Sequence, residues 1–352
     1  MVVAAAALVA AALVGSATAL AGQSRPHAVA PPAAVRAAVP ARGGERAARE
    51  GLRTRGSASR AASRSASLSV RVGGEWREWW RADRAPERWT APLPVVADAV
   101  GWRRAADGVE WGELALSGEG EAWRLRAIVV RVDPRKVELR LAAKIRPGGG
   151  AGPWTIDDAA PEAILALNAG QFTDEGPWGW VVHRGRELRP AGEGSLAGAL
   201  AADSAGAVRL LDPGALDAPG ARAGVSDGLQ SYPTLLVGDG ELPSALRAPT
   251  GTPALGIDLE HRDARLVVGE LRDGRLLFVL TRFDALGGAL SVLPFGPTVG
   301  ETAALMGALG ARRALMLDGG LSSQMQLRDA EGRAHRWNGL RSVPLGLVIV
   351  SR

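Results

Sequence analysis

From Gly108 to the C-terminus, apolar residues recur with the two-residue period of strands rather than the 3.6-residue period of helices. Glu110–Ser117, Arg124–Val132 and Val137–Ala142 alternate or run apolar with β-branched content, and Asp133-Pro134 supplies a turn. Further strands are predicted at Ala163–Leu167, Trp178–His183, Leu235–Val237, Ala254–Leu259, Arg265–Leu271, Arg275–Thr281, Ala314–Leu317 and Val343–Val350. Asp273-Gly274 marks a hairpin between two of them. One helix is clearly signalled: Thr298 and Glu301 form a capping box, the run to Leu309 is helical in composition, and Gly310 stands at the end. Many strands and few helices predict an α+β domain built on a large mixed sheet, spanning 108–352.

The first hundred residues are patterned differently. Residues 2–21 carry no charge and end in the A-x-A choices Ala17-Thr18-Ala19 and Ala19-Leu20-Ala21. This reads as an export signal, or as a weak membrane anchor of about 20 residues. No Lys or Arg precedes the apolar run. Residues 22–74 are rich in Ala, Arg and Ser without hydrophobic periodicity and read as a disordered linker. Residues 75–107 hold Trp76, Trp79, Trp80, Trp89 and Trp102. Such a cluster can stack on sugars; the favoured reading is a strap that buries its indoles on the main domain.

Charge changes the picture only at the N-terminus. The chain of 352 residues has a formal net charge of +5, but 22–71 alone carry ten Arg against Glu45 and Glu50, leaving 72–352 at a net −3. A basic segment can touch a membrane or another anionic surface, whereas a basic patch for nucleic acid is missing from the rest. There are no cysteines, which excludes disulfides, thiolate metal sites and Cys nucleophiles. His27, His183, His261 and His335 have no partner at a ligand spacing, and no phosphate-loop, zinc-protease or serine-hydrolase motif occurs. Gly148-Gly149-Gly150 lacks the strand-then-helix context of a nucleotide loop.

Two segments carry candidate chemistry. In Ala166-Leu167-Asn168-Ala169-Gly170-Gln171-Phe172 a buried strand ends in an amide that can donate and accept, and Gly170 lets a ligand approach the backbone. A capped turn explains the same residues. In Leu315-Met316-Leu317-Asp318-Gly319-Gly320-Leu321-Ser322-Ser323 an apolar strand delivers one carboxylate, two glycines free the backbone to form an anion nest, and two hydroxyls follow. An ordinary Asp-Gly hairpin is the competing reading.

The ordered set of motifs resembles the phosphodiester glycosidase family over about 250 residues. The set comprises Asn168-Ala169-Gly170-Gln171-Phe172, Gln230-Ser231-Tyr232-Pro233-Thr234-Leu235-Leu236 with Gly240, Gly256-Ile257, Thr298 with Glu301, Leu317-Asp318-Gly319-Gly320-Leu321-Ser322-Ser323, and Arg341. There are departures: Leu321 stands where the family usually has a third glycine, Thr252-Pro253 replace an arginine before Gly256, and Thr281-Arg282-Phe283-Asp284 stand for the usual D-G-R. The resemblance implies hydrolysis of the bond between a sugar anomeric carbon and a phosphodiester oxygen. Asp318 then takes the catalytic carboxylate role, with Glu301 the runner-up, and Asn168 orients the sugar. Gly319, Gly320, Ser322, Ser323 and Arg341 take the phosphate, with Gly170 and Phe172 also lining the substrate. The scheme calls for no metal or cofactor. Its partners are a carbohydrate phosphodiester or polysaccharide, and its setting is exported. The alternatives are a polysaccharide-binding protein that kept the fold without catalysis, and an enzyme acting on another polymer such as an exopolysaccharide.

If Asn168 and Asp318 serve one ligand, their strands must be near neighbours; side chains more than roughly 17 Å apart would end the idea. Export has its own check. The mature N-terminus is expected near Leu20 or Gly22 by N-terminal sequencing, and cytosolic protein retaining Met1 or Val2 would contradict it.

Overall fold

The computed structural model describes residues 66–144, 150–247 and 258–352. The expectations for the export signal, for the linker up to residue 65, for Gly148-Gly149, for Thr252-Pro253 and Gly256-Ile257, and for most of the Ala254–Leu259 strand lie outside the described residues.

The chain first lays down β1 (Ser67–Val72), β2 (Glu75–Arg81), β3 (Arg103–Ala106), β4 (Val109–Ser117) and β5 (Leu125–Val132). The turn at Asp133-Pro134 then moves it to a second sheet, with β6 (Val137–Ala142) and β7 (Leu165–Asn168). A two-residue pair, β8 (Phe172–Thr173) and β9 (Gly176–Pro177), leads to a third sheet. That sheet is β10 (Val181–His183), β11 (Arg186–Arg189), β12 (Gly198–Asp203), β13 (Val208–Leu211) and β14 (Val225–Ser231). The chain returns to the first sheet with β15 (Thr234–Leu236), β16 (Leu266–Leu271), β17 (Leu276–Phe283) and β18 (Ala311–Met316). It finishes in the second with β19 (Met325–Arg328), β20 (Ala334–Trp337) and β21 (Gly346–Ser351).

The first sheet has nine strands in the order β15-β18-β16-β17-β5-β4-β1-β2, with β3 beside β4. The second runs β20-β19-β7-β21-β6 and the third β11-β10-β14-β12-β13. The fold is α+β and strand-dominated, as the pattern implies. Its pairings among the described residues are antiparallel throughout rather than mixed, with hairpins joining β1 to β2, β4 to β5 and β16 to β17.

Central strands of the large sheet are apolar on both faces because both are covered. Ile128, Val130, Val268, Phe278 and Leu315 pack toward the second and third sheets. Val129, Val267, Val279 and Met316 pack on the other side, with residues of α2 (Val299–Ala308) among their neighbours. A four-residue turn of helix, α1 (Pro94–Ala97), lies in the same cluster. Both arms of the α2 capping box are present: Glu301 N donates to Thr298 Oγ1 at 3.2 Å and Thr298 N to Glu301 Oε2 at 3.0 Å. The Asp273-Gly274 hairpin joins β16 and β17, with Gly274 at φ +82°. No helix among the described residues is long and apolar enough to cross a membrane.

The strap reading of the tryptophan cluster describes Trp80 and Trp89, both buried. Trp89 lies against α2 where a Cβ on Gly307 would fall 2.2 Å from its ring, so that glycine makes room for the indole. Trp76 is exposed. The linker boundary is corrected: Ser67–Val72, placed in the linker by composition, pair with both β2 and β4. Leu68 and Val70 are 2% and 0% exposed.

A chain begun at Glu75 is therefore expected to melt lower than one begun at Ser65. Losing two core side chains costs at least about 4 kcal/mol, about 10 °C in Tm for a domain of this size. Equal melting temperatures would contradict the core role of β1.

Candidate active site

Asn168 ends β7 and Asp318 follows β18, so the two come from different sheets. The sequence reading expected neighbours in one sheet; what joins them is the seam between two. Asp318 N donates to Ala169 O at 2.9 Å, and Leu317 N to Leu266 O at 2.8 Å. The Asn168 Nδ2 group donates to the Asp318 carbonyl at 2.5 Å and reaches its Oδ2 at 3.3 Å. Asn168 Oδ1 accepts from Gln324 N at 3.0 Å. The Asp-Gly step is therefore not a hairpin: β18 and β19 belong to separate sheets, and the turn between them carries the chain across.

Around this seam Ser322, buried, hydrogen-bonds the Asp318 carboxylate, and the Arg341 charge lies close by. The Arg341 guanidinium also sits 5.1 Å from the centre of the Phe172 ring, a cation–π contact that joins two more of the expected residues. Burial dominates at Asp318 and pushes its carboxyl up to about 7, against the hydrogen bonds of Ser322 and Asn168 and the attraction of Arg341. Asp263 adds repulsion in the same upward direction.

Four expectations are corrected by contacts. Gly170 is buried against β14 rather than open to a ligand's approach: a Cβ there would lie 2.9 Å from the Gln230 carbonyl. The glycine nest is partly spent within the protein, with Gly320 N bonded to Ala264 O at 2.8 Å and Ser323 N to Gly320 O at 3.1 Å. A Cβ on Gly319 would meet the Ala264 carbonyl at 2.7 Å. Ser323 is fully buried and its hydroxyl has no hydrogen-bond partner among the described residues, which sets it apart from the Ser322 contact to Asp318. Glu301 does not face Asp318: beyond its cap, it receives Arg262 Nη1 at 2.6 Å and Nη2 at 2.9 Å. Its role is to anchor the loop before β16.

That loop delivers a carboxylate no motif marked. Asp263 packs against Gly320, whose Cβ would fall 2.7 Å from Asp263 Oδ2, and burial raises its carboxyl to about 6 against the pull of Arg265 and His261. Other unmarked residues lie beside the seam. Gln171 Nε2 donates to the carbonyls of Tyr232 at 2.9 Å and Leu317 at 3.3 Å. The Tyr232 phenol is pushed up by burial and by the Asp318 charge, and Trp178 meets its ring edge-on at 4.7 Å. Arg282, 3% exposed, donates from Nη2 to the carbonyls of Ser323, Trp337 and Asn338. Burial lowers its guanidinium to about 10, still charged at neutral pH. Gln171 and Tyr232 sit inside quoted motifs; Asp263 has no local signal beyond its place among His261, Arg262 and Arg265 before an apolar strand. No cluster of three or more acidic, His or Cys residues suited to a metal ion occurs among the described residues.

A carboxyl held between an amide, a hydroxyl and an arginine marks the seam between two antiparallel sheets as the candidate site. The family model described as phosphodiester glycosidase matches residues 161–350, and the chain belongs to that family. Two solved structures share the fold. One is the catalytic domain of zebrafish N-acetylglucosamine-1-phosphodiester alpha-N-acetylglucosaminidase, auto-inhibited by its pro-peptide; it is 15% identical, with a TM-score of 0.53 over 76% of this chain and 96% of that one. The other is a hypothetical protein from Synechocystis, 16% identical, with a TM-score of 0.53 over 82% and 68%. No curated protein matches the chain in sequence.

The raised carboxyl has a thermodynamic signature. Folded Asp318 holds its proton up to about pH 7, whereas the unfolded chain releases it near 3.8. Stability is therefore greatest below about pH 4 for this group and is lost as pH rises through 7. Asp318→Asn cannot ionise, so it is expected to melt like wild type near pH 4 and above it at pH 8. A variant that melts no higher than wild type at pH 8 would contradict the raised carboxyl.

Proposed function

We propose that the protein hydrolyses the anomeric C–O bond of a sugar-1-phosphodiester in a glycan or cell-envelope substrate. The observation that carries this reading is the convergence of Asn168, Ser322 and Arg341 on the Asp318 carboxyl, in a chain of the phosphodiester glycosidase family. The leaving group is a phosphate ester with a second pKa of about 6. It departs without the strong acid that a sugar hydroxyl needs, so the demand falls on a base and on anion donors.

In this scheme Asp318, ionised, takes a proton from water as the water oxygen bonds to the anomeric carbon. The bond from that carbon to the bridging oxygen breaks, and the electron pair leaves with the phosphate ester. Arg341, exposed and stacked on Phe172, meets the phosphate with a planar fork that suits its oxygens. Asn168, fully buried and bonded to Asp318 and to Gln324 N, orients Asp318 rather than the sugar. A base titrating at about 7 is well matched to neutral pH. Export rests on the N-terminal apolar run alone.

The second reading is a sugar-binding protein without turnover. It is favoured by Leu321, 37% exposed where the family usually carries glycine, which puts an apolar side chain beside the phosphate donors. Purified protein assayed against a panel of sugar-1-phosphodiesters separates the two. Turnover is expected, with kcat reduced about 10²- to 10⁴-fold in Asp318→Asn and KM little changed. Saturable binding without turnover of any diester would favour the binding protein, and an undiminished Asp318→Asn would remove Asp318 from the chemistry.

A further inference from the structure

Asp263 is fixed from two sides. Arg262, before it, is gripped by buried Glu301. Ala264, after it, accepts from Gly320 N at 2.8 Å and donates to Pro294 O at 2.9 Å. The Asp263 carboxyl is left against the glycine turn, with its two oxygens 2.7 and 3.2 Å from where a Cβ on Gly320 would stand. Gly320 is at φ +62° and two residues from Asp318, so this position excludes side chains by backbone conformation and by the carboxyl that occupies the space. Among the described residues the ion-pair partner of Asp263 is His261, 3.8 Å away and itself well exposed. Arg265 spends its guanidinium on the carbonyls of Pro297 and His261.

We infer that Asp263 and Asp318 act as one coupled carboxyl pair, in which Asp263 is a positioning residue that holds the glycine turn and keeps Asp318 ready to accept a proton. The inference rests on the proposed reaction. Two like charges beside one turn resist ionising together, so the first to ionise makes the second a better base. The groups facing Asp318 are Asn168 from β7, Ser322 from the turn, Arg341 from the segment before β21, and Tyr232 between β14 and β15. Those facing Asp263 are Arg265, His261 and, from the turn before β5, Glu121. Burial raises both carboxyls, Asp318 to about 7 and Asp263 to about 6.

The experiment has two arms. In the first, kcat/KM of wild type is followed against pH on a diester it turns over; below about pH 7 it should fall about tenfold per unit. Asp263→Asn removes the repelling charge, so its acidic limb should move to lower pH and retain a larger share of its plateau at pH 5. Glu75→Gln, on the exposed edge strand β2, should leave the limb in place. In the second arm, melting is compared at pH 4 and pH 8 for Asp263→Asn, Asp318→Asn and the double variant, with Asp263→Ser as a second removal of the charge. Coupling is expected to make the double variant's gain at pH 8 smaller than the sum of the single gains. An unmoved limb together with additive gains would overturn the inference. If wild type turns over no diester, the proposed function fails while the melting arm still decides the coupling.

Discussion

The structure depends on one buried amide. Asn168 is fully buried, and its side chain makes three contacts at once: it donates to the Asp318 carbonyl and carboxylate and accepts from Gln324 N. Those partners lie on either side of the crossing from the large sheet to the second sheet, so the amide ties β7, the end of β18 and the start of β19 together. A buried amide left unpaired would be costly, whereas a satisfied one fixes geometry in a low-dielectric interior. An apolar residue of similar size could fill the volume of Asn168, but it could not hold Asp318 by both its backbone and its side chain.

The rest of the candidate site follows from that tie. Because Asp318 is held at a seam packed from both sides, its carboxyl is poorly solvated and titrates near neutrality rather than near 4. The glycines after it serve the protein first: Gly319 clears the Ala264 carbonyl and Gly320 clears Asp263. Arg282 fastens the carbonyls of Ser323, Trp337 and Asn338, the two stretches that bracket Ser322 and lead to Arg341. Glu301 acts at a distance, by gripping Arg262 and so placing Asp263.

Local chemistry made much of this legible in the sequence. The capping box at Thr298 and Glu301, the Asp273-Gly274 hairpin and the alternation of Glu110–Ser117 each depend on residues a few positions apart. Asn168 and Asp318 were legible as strand ends followed by glycine. What was not legible is set by distant pairing. Nothing near Asp318 says that its turn crosses between sheets, and nothing near Gly170 or Gly320 says that β14 or Asp263 will occupy the space each leaves. The alternating Ser67–Val72 is short and sits at the end of an Arg- and Ser-rich stretch, so composition hid β1. Asp263 lacks any motif, because its place comes from Glu301 through Arg262 and from Gly320 across the fold.

The central claim is that Asp318 directs water to the sugar carbon and not to phosphorus. Hydrolysis of a sugar-1-phosphodiester in ¹⁸O-labelled water, read by mass spectrometry of both products, tests this directly. The account expects the label in the anomeric hydroxyl of the released sugar and none in the phosphate ester. Label in the phosphate would mean P–O cleavage and would contradict the assignment of the site.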